Sequence, residues 1–227
     1  RNRENGHEQL WNDYFKENPV YPKEIFRRRF RMQKHVFMRL VNAVSESDRF
    51  FQQRPNGNGR LGFSPLQKCV AAIRVLAYGT SADACDEYVR MSETVARNSL
   101  KHFARGVISN FGNQYLRRPN SEDLARLLHV GQTRGFPGML GSIDCMHWAW
   151  KNCPTGWAGQ YAGRSTKATI ILEAVASYDL WIWHDFFGLL GSLDDINAIR
   201  RSPVSHDILK DSATPVSFPV NVRDDEV

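Results

Sequence analysis

The chain of 227 residues is long enough for one large domain or two small ones and can bury a sizeable apolar core. Its four cysteines form no Cys-x-x-Cys pair and no spacing typical of zinc ligands, which argues against a zinc site and favours reduced, mostly buried thiols. The net charge of +6 is uneven, since residues 1–137 carry 23 basic and 13 acidic side chains and residues 138–227 carry 7 and 11. The basic part favours polyanions as partners, and the acidic part is expected to have a different role.

Residues 1–62 are predicted to form a basic N-terminal helical segment. The first residues hold no apolar run behind a basic start, so no secretory signal is expected. Pro19 and Pro22 argue against a long helix early in the segment. Over residues 24–43 apolar side chains recur near helical spacing with arginines and lysines between them, which predicts one or two amphipathic helices. Residues 52–62, rich in glycine, are expected to form a loop.

Residues 63–137 are predicted to be a second helical region. A first helix is expected from Ser64, as N-cap, to Tyr78, a short helix over 82–89, and a long third helix from Ser92 to near Gly112. This order of helices is the one found in a helix-turn-helix.

The third helix of this region is the candidate recognition helix. Arg97, Lys101 and Arg105 lie on it at a spacing of four residues, so they are candidate DNA-binding residues. An ordinary three-helix packing unit with solvated basic residues is the alternative that the sequence leaves open.

Residues after 120 change from a helical to a strand pattern. One more helix is expected over 120–130, and strands are expected over 139–147, 168–177 and 181–188. Three acidic residues interrupt the apolar stretch at 168–193, too many for a membrane-spanning helix. Helices followed by a strand meander predict an α+β fold with a mixed β-sheet in residues 138–227.

Asp144 lies inside an otherwise apolar predicted strand, where an unpaired carboxylate would be costly to bury. One interpretation is a ligand for a divalent cation at the edge of a sheet, since Mg²⁺ takes oxygen ligands and activates water for phosphoryl transfer. The other is a strand-end aspartate that binds a backbone amide or an arginine such as Arg164.

Asp195 belongs to a second acidic motif, Gly-Ser-Leu-Asp-Asp-Ile-Asn at 191–197. Ser192, Asp194 or Asp195 could cap a helix that starts there. A metal-binding role for Asp195 requires it to approach Asp144 in space, and the two intervening strands are a suitable connection.

Histidines, tryptophans and a basic loop are further candidates. His147, His184 and His206 are each isolated and are interpreted as packed, hydrogen-bonded histidines. Trp181 and Trp183 are at strand spacing and are expected to face one side as packing residues. The predicted loop at 151–167 carries three cations that could follow a phosphate backbone, unless it is simply a solvated loop: Lys151, Arg164 and Lys167.

Several motifs together resemble the Harbinger and PIF transposases and the plant and animal nucleases derived from them. The likeness rests on Phe-Arg-Arg-Arg-Phe-Arg-Met at 26–32, on Gly-Ser-Ile-Asp-Cys-Met-His-Trp at 141–148, and on three later groups: Phe-Phe-Gly at 186–188, the 191–197 motif and Arg-Ser-Pro at 201–203. They occur in the same order as in plant members and extend over most of the chain.

The resemblance implies a helix-turn-helix-containing N-terminal region and a partial RNase H-like core that cleaves DNA with acidic residues and Mg²⁺ or Mn²⁺. Asp144 matches the first catalytic and metal-binding carboxylate of the family, and Asp195 matches the aspartate of the Gly-Ser-x-x-Asp motif. The implied partners are double-stranded DNA and a Myb-like or chromatin protein, with no membrane, and the implied location is the nucleus.

The chain departs from the family pattern at two places. Leu190 stands where plant relatives usually have proline before the Gly-Ser turn. The resemblance implies a later strand and a helix that bears a final glutamate, and neither is recognised after Asn221, so a two-metal site is expected to lack one side of its clamp. The expectation is an impaired, metal-dependent DNA endonuclease-like protein. The alternative is a domesticated DNA-binding or protein-interaction module without catalysis.

Overall fold

The computed structural model of the chain describes residues 2–163 and 167–203. It divides into two compact units between Tyr115 and Leu116. The sequence-based division at 62/63 and 137/138 differs from this one, because the N-terminal helices share one apolar core with the helices that follow them.

The first unit consists of six α-helices, with a π-helical turn at Trp11–Phe15 after the first. They are α1 (Arg3–Leu10), α2 (Lys23–Phe30), α3 (Lys34–Ser47), α4 (Pro65–Tyr78), α5 (Cys85–Val89) and α6 (Glu93–Tyr115). The predicted order of helix, short helix and long helix after residue 63 is confirmed. Residues 52–62 form the predicted loop.

The ends of the helices follow local sequence signals. Ser64 and Gln67 form a capping box at the start of α4, and Gly79 ends the helix in the left-handed conformation at φ 61°. Arg31, also left-handed at φ 58°, separates α2 from α3. The expected stop of α6 near Gly112 is wrong, since the helix continues to Tyr115, where the Arg39 guanidinium packs over the Phe111 ring at 5.0 Å.

An aromatic cluster forms the centre of the core in the first unit. The rings of Phe26 and Phe30 stack at 4.2 Å, and Tyr14 and Phe37 meet the Phe30 ring edge-on at 5.2 and 5.0 Å. All four side chains are buried. Because they come from α2, α3 and the π-helical turn, residues 11–37 are bound into the same core as α4 and α6.

The second unit contains α7 (Ser121–Thr133), β1 (Ser142–Ala149), α8 (Thr155–Tyr161), β2 (Thr169–Ala176), β3 (Ile182–Leu190) and α9 (Asp195–Arg201). The three strands form a sheet of order β1-β2-β3. The predicted α+β class is confirmed, and the described strands pair antiparallel throughout. The helix α8 lies where a loop was expected, and Trp150 packs edge-on against Tyr161 at 5.0 Å.

The two faces of this sheet differ in covering. On β2, Thr169, Ile171 and Glu173 alternate as buried residues, and α9 contacts β1 and β2. The opposite face exposes four large apolar side chains: Met146, Trp148, Ile182 and Phe187. None of the described helices combines the length and the apolar composition needed to cross a membrane.

Candidate functional site

The solvent face of α6 carries the predicted basic row. Arg97, Lys101 and Arg105 are all exposed, and they span roughly 12 Å along the helix axis at 1.5 Å per residue. The opposite side of the helix is buried through four small or apolar residues: Ala96, Ser99, Phe103 and Gly106. One side of the helix is therefore packed against the core, and the other side exposes the three cations to solvent.

Contacts with α3 hold α6 in place. A Cβ atom at Gly106 would lie 3.0 Å from the Val44 side chain, so the two helices approach closely at this point. His102 Nδ1 lies 2.7 Å from Asp48 Oδ2, and the His102 ring stacks on Phe50 at 4.2 Å. Burial alone would raise the pKa of the Asp48 carboxyl, but the Phe50 amide and His102 hold that pKa below its usual range. These contacts fix the position of α6, the helix that carries the basic row.

The three cations of the row differ in their own contacts. The Arg97 guanidinium donates to Glu93 Oε1, one helical turn earlier. Within residues 2–163 and 167–203, Lys101 and Arg105 form no ion pair, so their charges are available to an external anion.

Asp144 is exposed on β1, which corrects the expectation of a costly buried carboxylate. Its face of the sheet is uncovered in the described part of the chain, and Oδ1 accepts a hydrogen bond from the Cys145 amide at 2.9 Å. The register places Asp144 and Asp185 on either side of Ala174, on the same face. Two strand spacings separate their Cα atoms by roughly 10 Å.

Asp195 is the first residue of α9, and Asp194 is the N-cap whose Oδ1 accepts from the Asn197 amide at 2.7 Å. Asp195 Oδ1 lies 3.8 Å from His147 Nε2, while His147 Nδ1 lies 3.3 Å from Thr169 Oγ1. Asp195 is therefore positioned next to His147.

The geometry separates the two predicted metal ligands. Side chains alternate along β1, so His147 and Asp144 point to opposite faces of the sheet. Asp195 lies with His147 and across the sheet from Asp144, and the two carboxylates do not fit one shared divalent cation. Among the described residues, no group of three or more His, Cys, Asp or Glu side chains is arranged to hold a metal ion. A catalytic role for either carboxylate stays a prediction.

A buried polar cluster on the α9 side was missed by sequence reasoning. Glu173 is fully buried in the central strand, and its Oε1 accepts from Ser202 Oγ at 2.7 Å. His184 Nε2 lies 3.3 Å from the same hydroxyl and 3.8 Å from the carboxylate. The sequence signal for this cluster is Glu173 itself, an acidic residue inside the apolar part of a predicted strand. In the sequence it counts only as one of three acidic residues that argue against a membrane-spanning helix. His184 is hydrogen-bonded as expected, and His206 lies outside the described residues.

The thiols and the paired tryptophans agree with the sequence. All four cysteines are free, two of them buried and two partly buried. Burial, and after it the charges of Glu173, Asp195 and Asp144, raise the pKa of the Cys145 thiol, which favours the protonated form. Trp181 and Trp183 stack at 5.1 Å on one side, with the Arg117 guanidinium over them.

The predicted basic loop is only partly described. Lys151 and Lys167 are exposed, and Arg164 lies outside the described residues. Their role in DNA binding stays a prediction.

The fold and the basic row together define an α+β protein with a cation-presenting helical unit. A sequence model described as plant transposon protein matches residues 113–227, about half of the chain, and a domain of unknown function, DUF8418, matches residues 6–45. The chain belongs to the plant transposon protein family. It has no match among curated proteins or solved structures.

Proposed function

We propose that this chain is a Harbinger/PIF-type, transposase-derived protein that binds double-stranded DNA through the solvent face of α6. The observation that carries the proposal is the exposed row of Arg97, Lys101 and Arg105 on a helix whose other side is packed. A nuclear location follows from this partner. A Myb-like or chromatin protein as a second partner rests on the motif resemblance.

The electrostatics support a duplex as ligand. Residues 1–115 hold 19 lysines and arginines against 11 acidic residues, so the whole unit attracts phosphate. An α-helix fits the major groove, which is about 12 Å wide, and α6 exposes one side along its length. Each cation that neutralises a phosphate releases counterions, and this release makes binding favourable and salt-dependent.

The second unit is proposed to lack metal-dependent hydrolysis as it stands. Asp144 and the Asp195–His147 pair lie on opposite faces of the sheet, so the two predicted ligands, Asp144 and Asp195, offer no shared position for a cation that activates water. The non-catalytic module is thus favoured over the endonuclease.

Loss of the two cations Lys101 and Arg105 tests the DNA-binding proposal. The double variant Lys101→Ala, Arg105→Ala is expected to bind a labelled duplex roughly 30-fold more weakly at physiological salt, since each lost phosphate contact weakens binding about fivefold. Fluorescence anisotropy of the full chain measures the affinity. The matched control Arg54→Ala, Arg60→Ala removes the same charge from the exposed loop at 52–62. Equal weakening in both variants would mean that α6 is not the DNA-binding surface.

Nicking of supercoiled plasmid tests the catalytic part. With Mg²⁺ or Mn²⁺, the wild-type chain and Asp144→Asn are both expected to leave the plasmid intact, because Asp144 and Asp195 lie on opposite faces of the sheet and cannot share a cation. Nicking by the wild type that disappears in Asp144→Asn would restore the endonuclease interpretation and remove this part of the proposal.

A further inference from the structure

The cations of α6 differ in how firmly they are held. Glu93 and Arg97 are one turn apart with the acid on the N-terminal side, the favourable order for such a pair. Lys101 and Arg105 have no ion-pair partner within residues 2–163 and 167–203. One guanidinium is thus oriented before any ligand binds, and two cations are free to adjust.

We propose that Arg97, oriented by Glu93, reads a guanine in the major groove, while Lys101 and Arg105 hold the phosphate backbone without regard to sequence. This inference rests on the proposed function and assigns different DNA contacts to the residues of that surface: Arg97 to a base, Lys101 and Arg105 to phosphates.

The geometry of the side chains supports this division. A guanidinium presents a planar fork of donors that matches the two acceptors of guanine, O6 and N7, and the match requires a defined orientation. Glu93 supplies that orientation and reduces the rotamer freedom that Arg97 would lose on binding. A lysine ammonium is a compact charge on a flexible stem, and a phosphate accepts it from many directions.

The local charge supports the same division. Glu93 neutralises Arg97, so the pair contributes little to counterion release and would place a carboxylate near any phosphate that Arg97 contacted. The pair is better accommodated over base edges than against the backbone.

Position along the helix agrees with both points. Arg97 is the fifth residue of the 23-residue α6, and Lys101 and Arg105 follow one and two turns later. Recognition helices contact base edges with their N-terminal residues. The ligand is therefore duplex DNA with a preferred G·C pair at one position of the site.

Selection of duplexes from a library with a randomised centre, using the full chain, tests the inference. The wild type is expected to enrich a motif with a fixed guanine, and Arg97→Ala to lose that position, with discrimination against other bases falling roughly 5- to 150-fold. Lys101→Ala is expected to keep the motif, to bind all duplexes more weakly and to lower the slope of log affinity against log salt by about one.

Glu93→Gln is the matched control because it keeps Arg97 and removes the carboxylate. It is expected to bind random duplexes more tightly and to discriminate less. An unchanged motif and unchanged discrimination in Arg97→Ala would overturn the inference, as would duplex binding by the wild type without any motif. In those two outcomes the proposed function stands, whereas failure of the wild type to retain any duplex would remove the proposed function itself.

Discussion

Replacement of Phe30 by alanine is expected to lower the free energy of unfolding by about 3–5 kcal/mol, the cost of deleting a buried phenylalanine from a packed core. The Phe30 ring is 2% exposed and contacts the rings of Tyr14, Phe26 and Phe37. Its loss would leave a cavity bordered by three rigid aromatic rings, which cannot collapse easily. Urea unfolding of the full chain, followed by circular dichroism in the helical region, measures the change.

The control for Phe30 is Ile108→Ala, which removes an apolar side chain from the exposed face of α6. Ile108 is 59% exposed, so its replacement is expected to change stability by no more than about 0.5 kcal/mol. A loss in Phe30→Ala no larger than about 0.5 kcal/mol would contradict the placement of Phe30 in the core of the first unit.

Replacement of Ser202 by alanine is expected to destabilise the second unit by about 1–3 kcal/mol, since a buried carboxyl oxygen of Glu173 loses its hydrogen-bond donor. The hydroxyl donates to Oε1 of Glu173, and Glu173 Oε2 has no hydrogen-bond partner among residues 2–163 and 167–203. Thermal unfolding followed by near-ultraviolet circular dichroism of the sheet tryptophans reports this unit.

The double variant Glu173→Leu, Ser202→Ala distinguishes loss of the hydrogen bond between Ser202 and Glu173 from loss of packing around Ser202. Replacing both partners with apolar groups removes the buried carboxyl group together with its donor, so most of the lost stability is expected to return. A double variant that is less stable than Ser202→Ala would contradict the account of Glu173 as a buried carboxylate that depends on this hydroxyl.

Local signals made much of the fold predictable. Ser64 and Gly79 marked the two ends of α4, because a capping side chain and a left-handed glycine act within a single turn. The extension of α6 beyond Gly112 was not predictable from local signals, and the end of the helix contacts Arg39, more than 70 residues earlier in the chain. The helix α8 was missed because glycines suggest a loop and the Trp150–Tyr161 contact is not visible in the sequence.

The part of the candidate site that was predictable from the sequence is the part whose residues all lie on one helix. The spacing of Arg97, Lys101 and Arg105 predicts a common helical face, and the structure places all three in solvent. A shared position for Asp144 and Asp195 depends on which face of the sheet α9 covers, and a strand pattern leaves that choice open. Glu173 became significant only when Ser202 was seen to reach it from the end of α9.

Acetylation of lysines with and without a bound duplex, quantified by mass spectrometry, tests directly whether the solvent face of α6 binds DNA. Lys101 is exposed on α6, whereas Lys68 is 8% exposed and donates to the Phe50 carbonyl, so Lys68 serves as the unreactive internal reference. DNA is expected to protect Lys101, and high salt is expected to restore its reactivity. A Lys101 that stays equally reactive on a saturated duplex, while Lys151 or Lys167 becomes protected, would show that DNA binds elsewhere than on α6.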